Sequence, residues 1–298
     1  MNRLFPLFSI LILSALILSA CGGAPETSGP ETTQEPAVQI PASEPPVIPI
    51  DLAGPLMQVG SFYSYVDGAI LAAVPGGPFV MGYNFFDNLE REVSVGDFWI
   101  YTGEVTNDQY AYCVELGKCT PPDKEDNPGY GNYRFGSFPV VGVTHQQAVD
   151  YCAAFNGRLP YEAEWEKTAR GPLEVANLFQ WGDNLPDCSL LNFNYCTGKP
   201  VQVKSYEAGV SYYGVWDLAG NVREWVADWY EPEYNSDGLL VDPLGPELGQ
   251  RRAVRSSSFA DITDFALAAH RFSLKPEDHL PDLGFRCVVV DPTLCPLL

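Results

Sequence analysis

Oxygen-bearing side chains are concentrated in residues 213–229, whose sequence is YGVWDLAGNVREWVADW. Asp217 and Glu224 stand on either side of a Gly220-Asn221 step, which bends the backbone easily and can turn carbonyl groups inward. Carboxylate and carbonyl oxygens are the ligands that a hard cation such as Ca²⁺ prefers. Such an oxygen-rich turn suits a hard cation, but the run taken alone favours buried acids that are hydrogen-bonded in a tryptophan-rich core.

A row of hydroxyl and carboxylate groups follows Arg255. Ser256 to Ser258 stand close to Asp261 and Asp264 in the sequence. A serine hydrolase would also need a base and a sharp turn that exposes the nucleophile, and neither pattern surrounds these serines. We interpret the polar row of Ser258, Asp261, Thr263 and Asp264 as a groove that could bind a peptide or a sugar.

The sequence has three histidines, His145, His270 and His279. Histidine is a common acid–base catalyst and metal ligand, but the spacing of these three indicates no shared face. Neither His270 nor His279 has a nearby partner in the sequence that would define a catalytic unit. We expect His145 to be a packing or capping residue at the start of a helix. The three histidines by themselves therefore do not predict an active site.

Two capping boxes predict the starts of the first two helices of the scaffold that carries these side chains. Thr106 is followed three residues later by Gln109, and Thr144 by Gln147. Glycines that can end these two helices follow at Gly117 and Gly157.

A third helix is predicted from Tyr161 to Arg170, between Pro160 and Gly171. The rest of the chain is predicted to form short strands and long loops. The 27 glycines, 26 prolines and 13% aromatic residues favour such a mixed fold over a helical bundle.

Acidic residues dominate the charge of the chain. There are 38 acidic against 17 basic residues, a net charge of −21; without Arg3, in the segment that we expect to be removed, the balance is 16 − 38 = −22. Such a charge repels the phosphate backbone of nucleic acids. We therefore expect no nucleic-acid partner.

The N-terminus has the pattern of an export signal, with a basic start at Arg3 and a short apolar run over 4–17. Leu18-Ser-Ala-Cys21 resembles a bacterial lipobox, which implies a signal peptide over 1–20 and a lipid on Cys21. An ordinary cleavable signal ending at Ala20 is the alternative. Lipid would be the only membrane contact of the exported, envelope-anchored protein.

Residues 21–50 are rich in proline, glutamate and threonine, and they carry no Lys or Arg. Such a composition cannot bury a core, so we expect a disordered tether. Residues 51–67 are more apolar and are interpreted as a lead-in segment to the domain.

Six motifs occur in an order that resembles the sulfatase-modifying-factor family, which includes the formylglycine-generating enzymes. They are Gly76–Gly82, Glu104–Tyr110, Pro139–Val143, Gly157–Glu166, Gly220–Trp225 and Gly284–Cys287. The resemblance covers roughly residues 68–290 and implies one domain over 68–298. The implied fold class is α+β, an elaborated C-type-lectin fold with short helices around small antiparallel sheets and many loops.

The resemblance also implies which residues hold calcium. The family's structural site corresponds to Asp217, Gly220, Val222 and Glu224, which makes Ca²⁺ the expected structural ion. A second family site would begin at Asn192 and Phe193. The segment that supplies its acidic partner is shorter in this chain and carries Lys199, so the second calcium is in doubt.

Catalysis in the family depends on two cysteines that bind copper(I) and follow an Arg-Gly-Gly-Ser motif. This chain has Arg255-Ser-Ser-Ser258 at the motif, and Asp261 and Ala266 stand where the cysteines would be. A carboxylate and a methyl group cannot hold copper(I), so we expect no copper and no formylglycine activity. The resemblance therefore implies a groove at the family's active site in which the catalytic cysteines have been replaced. Its candidate residues are Arg255, Ser258, Asp264, His270 and Arg271.

The eight cysteines fit an oxidising compartment. Two local disulfides are plausible, between Cys113 and Cys119 and between Cys188 and Cys196. The resemblance implies a third, long-range disulfide between Cys152 and Cys287. With Cys21 assigned to lipid, Cys295 has no predicted role.

The sequence thus predicts a lipid-anchored envelope protein with a catalytically degenerate formylglycine-generating-enzyme-like domain. Its predicted role is to bind a peptide, glycan or envelope partner while calcium stabilises the scaffold. The alternative is a protein-modifying oxidase that retains the family's activity.

Overall fold

The computed structural model describes residues 57–84, 89–232 and 240–294. All of them belong to one compact unit, Asp51–Leu298. The predicted signal peptide, Cys21, the tether and Cys295 lie outside the described residues. Within the described ranges, every helix is too short or too polar to cross a membrane.

Three α-helices form where the sequence predicted them. They are α1 (Asn107–Glu115), α2 (His145–Ala154) and α3 (Glu162–Arg170). Both capping boxes are present. The hydroxyl of Thr106 accepts from the backbone N–H of Gln109, and the hydroxyl of Thr144 accepts from the backbone N–H of Gln147. In each box the glutamine side chain accepts from the backbone N–H of the threonine. The predicted helix starts are therefore confirmed.

Helix α3 begins without a capping side chain of its own, because Tyr161 stands at the cap position. The carboxylate of Asp228 accepts a hydrogen bond from the backbone N–H of Glu162 at 2.8 Å. The Glu164 side chain accepts from the backbone N–H of Tyr161, also at 2.8 Å. A residue distant in sequence thus accepts from one of the first-turn N–H groups, which have no acceptor within the helix.

Eleven short strands lie in the part of the chain that the structure describes. In chain order they are β1 (Phe62–Ser64), β2 (Ile70–Val74), β3 (Gly77–Met81), β4 (Arg91–Val95), β5 (Phe98–Tyr101), β6 (Arg223–Trp229), β7 (Leu240–Val241), β8 (Arg252–Arg255), β9 (Phe272–Leu274), β10 (Leu283–Phe285) and β11 (Val288–Val289). Strand β1 lies in the predicted lead-in segment.

The strands form three small sheets, in the orders β1-β2-β5-β11, β10-β6-β8-β9 and β3-β4-β7. Most pairs are antiparallel, as predicted, but β10 pairs with β6 and β4 with β7 in parallel. The register of the β10–β6 pair sets Gly284 beside Glu224. This pairing brings the Gly284–Cys287 motif to the Gly220–Trp225 motif.

The core is aromatic and lies between the sheets and helices. Trp99 on β5, Trp165 on α3 and Trp225 on β6 are among the largest fully buried side chains. Tyr110 of α1 stacks on Tyr151 of α2, with ring centroids 5.6 Å apart. Burial of such large rings supplies much of the apolar area that holds the short elements together.

Three disulfides link the pairs proposed from the sequence. They join Cys113 to Cys119, Cys188 to Cys196, and Cys152 to Cys287 across a separation of 135 residues. The last bond fastens α2 to the end of the chain beside β11. Both of its cysteines are fully buried.

Candidate functional site

Glu224 lies at the start of β6 and is fully buried. Its two carboxylate oxygens accept hydrogen bonds from the guanidinium of Arg286, at 2.6 and 2.8 Å. The indole N–H of Trp165 donates to the same carboxylate at 2.8 Å. The side chain predicted as a calcium ligand is therefore held in place by two other residues of the core.

Two more buried carboxylates lie around this pair. Asp217 accepts from the backbone N–H of Lys204 at 2.6 Å, and its own carbonyl accepts from Arg286. Glu104 accepts from the Asn221 side chain at 2.9 Å and from the backbone N–H of Val222 at 3.3 Å. The sequence argument did not assign Glu104 to this site. Its place in the Glu104–Tyr110 motif was the available signal.

The charges of this cluster are unbalanced. Burial raises the pKa of Glu104 well above its usual value, and repulsion from Asp217 and Glu224 adds to the rise. Burial also raises the pKa of Asp217, to about 6, against the lowering effects of its bond from Lys204 and the charge of Arg286. Of the three carboxylates, that of Glu224 is the one with which the Arg286 guanidinium pairs, and carboxylate oxygens are suitable ligands for an additional cation.

Carboxylates alone do not complete an ion site here. Among the described residues, Glu104, Asp217 and Glu224 do not bring three oxygens within 4.8 Å of one another. A bound Ca²⁺ would also need the carbonyls of Gly220 and Val222, which the sequence named. Mixed carboxylate and carbonyl coordination is common for Ca²⁺.

The turn between these ligands has a shape that glycine permits. Gly220 has φ +79°, and a Cβ atom there would lie 2.5 Å from the carbonyl oxygen of Asn192. Asn221 follows with φ 60°, and its backbone N–H donates to that same carbonyl. The close approach fixes the turn against the 192–197 loop.

The two residues predicted to begin the second calcium site, Asn192 and Phe193, form hydrogen bonds within their own loop. The amide oxygen of Asn192 accepts from the Thr197 hydroxyl at 2.8 Å, while its amide nitrogen donates to the Lys199 carbonyl at 2.9 Å. The Phe193 carbonyl accepts from the backbone N–H of Cys196 at 2.7 Å. The oxygens of Asn192 and Phe193 thus accept hydrogen bonds from donors within the same loop.

Arg255 and Ser258 do not line an open groove, contrary to the sequence interpretation, because both are fully buried. The Arg255 guanidinium pairs with Glu162 at 3.2 Å and with Glu166 at 2.8 Å on α3. Arg271 also pairs with Glu162, at 2.8 Å. Two arginines that sequence reasoning placed in a groove therefore neutralise acids in the core.

Asp261 lies at the edge of the same region and is tied to its neighbours. It accepts from the backbone N–H of Ser258 at 2.8 Å and forms an ion pair with Arg223 at 2.6 Å. Arg223 also pairs with Asp282 at 2.7 Å. Ala266 is buried in an apolar cluster that includes Phe179.

His270 and Asp264 remain accessible. Asp264 is exposed, and the imidazole of His270 packs between Phe265 and Phe272, at centroid distances of 4.7 and 4.4 Å. His270 and Arg271 come directly before β9. The aromatic packing of His270 gives its ring a defined position.

His145 is buried at the start of α2, as predicted for a packing residue. Its Nε2 lies 3.0 Å from the carbonyl oxygen of Val226, and its ring meets Trp225 edge-on. Burial lowers the pKa of His145 to about 4, and the nearby charge of Arg252 contributes. At neutral pH the imidazole is therefore uncharged and part of the core.

An apolar cleft of about 430 Å³ lies beyond Phe259, the residue after the serine row. Its walls include aromatic rings and prolines, among them Phe135, Phe138, Phe259, Pro139 and Pro200. Asp126 and Lys199 provide charged groups. A cavity of this size and character can hold a small organic group or a side chain of a partner.

Comparisons relate this fold to known proteins. Residues 66–290 match the family described as sulfatase-modifying factor enzyme 1-like domain. The chain is 36% identical over 163 residues to a protein of Streptomyces coelicolor named formylglycine-generating enzyme, covering 50% of this chain and 52% of the relative. It is 38% identical over 162 residues to serine/threonine-protein kinase Pkn1 of Chlamydia trachomatis, covering 54% of this chain and 25% of that protein.

The solved structure of PvdO from Pseudomonas aeruginosa aligns with a TM-score of 0.65 at 23% identity, over 78% of this chain and 98% of that one. This likeness confirms the predicted fold class. The chain spans about half the length of the Streptomyces relative and a quarter of the Chlamydia relative.

Proposed function

Because this chain belongs to the family of sulfatase-modifying factor enzyme 1-like domains, we propose that it is a non-catalytic binding module of the family. The observation that carries the proposal is the pair Asp261 and Ala266. One is a carboxylate held by Arg223, and the other is a buried methyl group. Neither can act as a thiolate ligand of copper(I) or exchange a disulfide with a substrate.

The remaining cysteines support the same proposal. All six cysteines in the described part of the chain are in disulfides. A disulfide sulfur has no thiolate to offer as a nucleophile or a soft ligand. Copper-dependent oxidation by any of these six cysteines would therefore need one of the bonds to open.

Calcium is the ion that we propose for the scaffold, held by Asp217, Glu224 and the carbonyls of Gly220 and Val222. The burial of the Asp217, Glu224 and Glu104 carboxylates around the Gly220–Val222 turn supports this assignment, because carboxylate and carbonyl oxygens are the ligands that Ca²⁺ prefers. Its role would be structural. The ion would join the start of β6 to the turn that precedes it.

The proposed ligand is a peptide, a glycan or an envelope partner that enters the region beside Asp261. The apolar cleft beyond Phe259 supports such a role, since it provides a concave surface with few charged groups. We propose further that the protein is exported and anchored through a lipid on Cys21. The signal-like start and the lipobox-like sequence support this location.

A protein-modifying oxidase is the second candidate. The 36% identity to a protein named formylglycine-generating enzyme favours it, because related chains often keep related chemistry. The residue types at 261 and 266 oppose it, and we therefore favour binding.

A direct assay separates the two candidates. The purified protein is incubated with a Cys-x-Pro-x-Arg peptide, copper(I) and oxygen, and the peptide is examined for formylglycine by mass spectrometry. We expect no conversion, while an active family enzyme converts the peptide in a parallel reaction. Conversion by this chain would contradict the binding proposal and assign copper binding to other groups.

A further inference from the structure

Asp123, Asp126 and His279 converge on one point of the surface, although 153 residues separate Asp126 from His279. Each offers a ligand atom, and these atoms all lie within 4.8 Å of one another. The Nδ1 atom of His279 is 2.7 Å from a carboxylate oxygen of Asp126. Among the described residues, no other group of three His, Cys, Asp or Glu side chains comes this close together.

Backbone hydrogen bonds hold the three positions together. The N–H of Asp123 donates to the carbonyl of Gly142 at 2.8 Å, and the N–H of Gly142 donates to the carbonyl of Leu280 at 3.0 Å. Gly142 has φ +70°, and a Cβ there would lie 3.0 Å from the Cβ of Asp126. The loop with the aspartates and the loop with the histidine are thus fastened to the same glycine.

The group also adjoins a cavity that a ligand can enter. Asp126 and Pro281, two residues after His279, both line the apolar cleft of about 430 Å³. The side chains of His279 and Asp126 keep 41% and 24% of their accessible surface. An ion bound here would be reachable from solvent and would stand at the edge of the cleft.

We propose that Asp123, Asp126 and His279 bind a divalent transition-metal ion of the Zn²⁺ class. An imidazole nitrogen with two carboxylate oxygens is a ligand set that Zn²⁺ accepts, whereas Ca²⁺ prefers oxygen ligands throughout. Three protein ligands leave a fourth tetrahedral position for water or for a group bound in the cleft. The strongly acidic chain attracts cations to its surface. This site is separate from the calcium site proposed above.

Metal titration of the full protein tests the site. After treatment with a chelator and saturation with Ca²⁺, Zn²⁺ is added and binding is followed by calorimetry; Co²⁺ is then used as a spectroscopic substitute. We expect one Zn²⁺ per chain and a visible Co²⁺ spectrum typical of low coordination number. His279→Ala and Asp126→Asn should each weaken Zn²⁺ binding by at least about ten-fold, since each removes one of three ligands.

The matched control is Glu277→Gln, which removes one exposed charge from the same loop as His279 without touching the group. Its Zn²⁺ affinity should stay within about two-fold of the parent. Equal affinity in the parent and in His279→Ala would overturn the site, as would the absence of Zn²⁺ uptake by the parent protein. Far-UV circular dichroism of the metal-free variants checks that each one is folded.

Discussion

At the scale of single residues, the arginine of the Gly284–Cys287 motif decides how the buried acids are arranged. Arg286 binds Glu224 through two nitrogens and also donates to the carbonyls of Trp216 and Asp217. A guanidinium suits this position because its planar donors satisfy a carboxylate and several carbonyls at once. Glu104 instead accepts hydrogen bonds from the side chain of Asn221 and from the backbone N–H of Val222, and burial raises its pKa.

Removal of the charge of Glu224 tests the proposed calcium site. Glu224→Gln should abolish the rise in melting temperature that Ca²⁺ produces relative to a chelator, because a neutral amide is a weaker ligand for a hard cation. The variant also weakens the pair with Arg286 and lowers the melting temperature in both conditions. The informative measurement is therefore the difference between the two conditions for each protein.

Glu231→Gln serves as its control, since Glu231 follows β6 and is exposed. This variant should keep the full calcium response. If Glu224→Gln also kept it, Glu224 would have no part in calcium binding.

The buried imidazole of His145 makes stability depend on pH. The pKa of His145 is about 4 in the folded protein, below the ordinary value of 6.5. Between these two pH values the imidazole therefore binds a proton in the unfolded chain but not in the folded chain. The contribution of His145 is complete above pH 6.5. As the pH falls from 6.5 toward 4, this contribution to the free energy of unfolding is lost, by at most about 1.4 kcal/mol per pH unit.

Urea unfolding at pH 7 and pH 5 measures this effect. His145→Gln retains a donor for the Val226 carbonyl and cannot be protonated, so its stability should fall less between the two pH values than that of the parent. Equal losses in both proteins would show that other groups cause the pH dependence.

At the scale of elements, α3 is a charged helix that lies wholly inside the protein. All nine of its residues are buried, including Glu162, Glu166 and Arg170. Arg255 from β8 and Arg271, just before β9, neutralise the acids, while Lys167 donates to the carbonyl of Gly77 at 2.9 Å. Burial lowers the pKa of Lys167 to about 8. Such paired charges make the position of α3 specific, because any displacement would leave buried ions unpaired.

The cap that Asp228 supplies to α3 can be tested with two substitutions. Asp228→Ala removes the acceptor for the N–H of Glu162 and should destabilise the protein by about 1 to 2 kcal/mol. Asp228→Asn keeps an oxygen of similar reach and should cost less. Urea unfolding measures both, and equal losses would mean that the charge of Asp228 matters more than the cap.

At the scale of the whole molecule, a disulfide connects two parts of the chain that lie far apart in sequence. Cys152 of α2 is bonded to Cys287, which stands between β10 and β11. Strand β11 in turn pairs with β5, and the Arg158 N–H donates to the Val288 carbonyl at 2.9 Å. The end of the domain is therefore fixed covalently and by backbone hydrogen bonds.

Removal of this bond should cost far more than removal of a local one. The double variant Cys152→Ala and Cys287→Ala opens a loop of 135 residues, for which the loop-closure entropy predicts a loss of about 4 to 5 kcal/mol. The matched variant Cys113→Ala and Cys119→Ala opens a separation of 6 residues and should lose about 2 kcal/mol. Urea unfolding compares the two. A larger loss from the local pair would contradict the entropic account.

Several features of this protein could be predicted from its sequence because they depend on interactions between residues close together in the chain. The capping boxes at Thr106 and Thr144 act within four residues, so they fixed the starts of α1 and α2 without knowledge of the fold. The six ordered motifs identified the family, and the cysteine spacing indicated the two local disulfides. The glycine of the Gly220-Asn221 turn was also recognisable, because its conformation is a property of the local backbone.

Only the tertiary structure decided which distant groups share an environment. It paired Arg255 with the acids of α3 instead of exposing it in a groove, added Glu104 to the buried acids, and brought His279 to Asp126. These contacts join residues tens to more than a hundred positions apart, and their formation depends on how sheets and loops pack. A sequence pattern records what each residue can donate or accept, while burial and long-range pairing determine which of those capacities the folded chain uses.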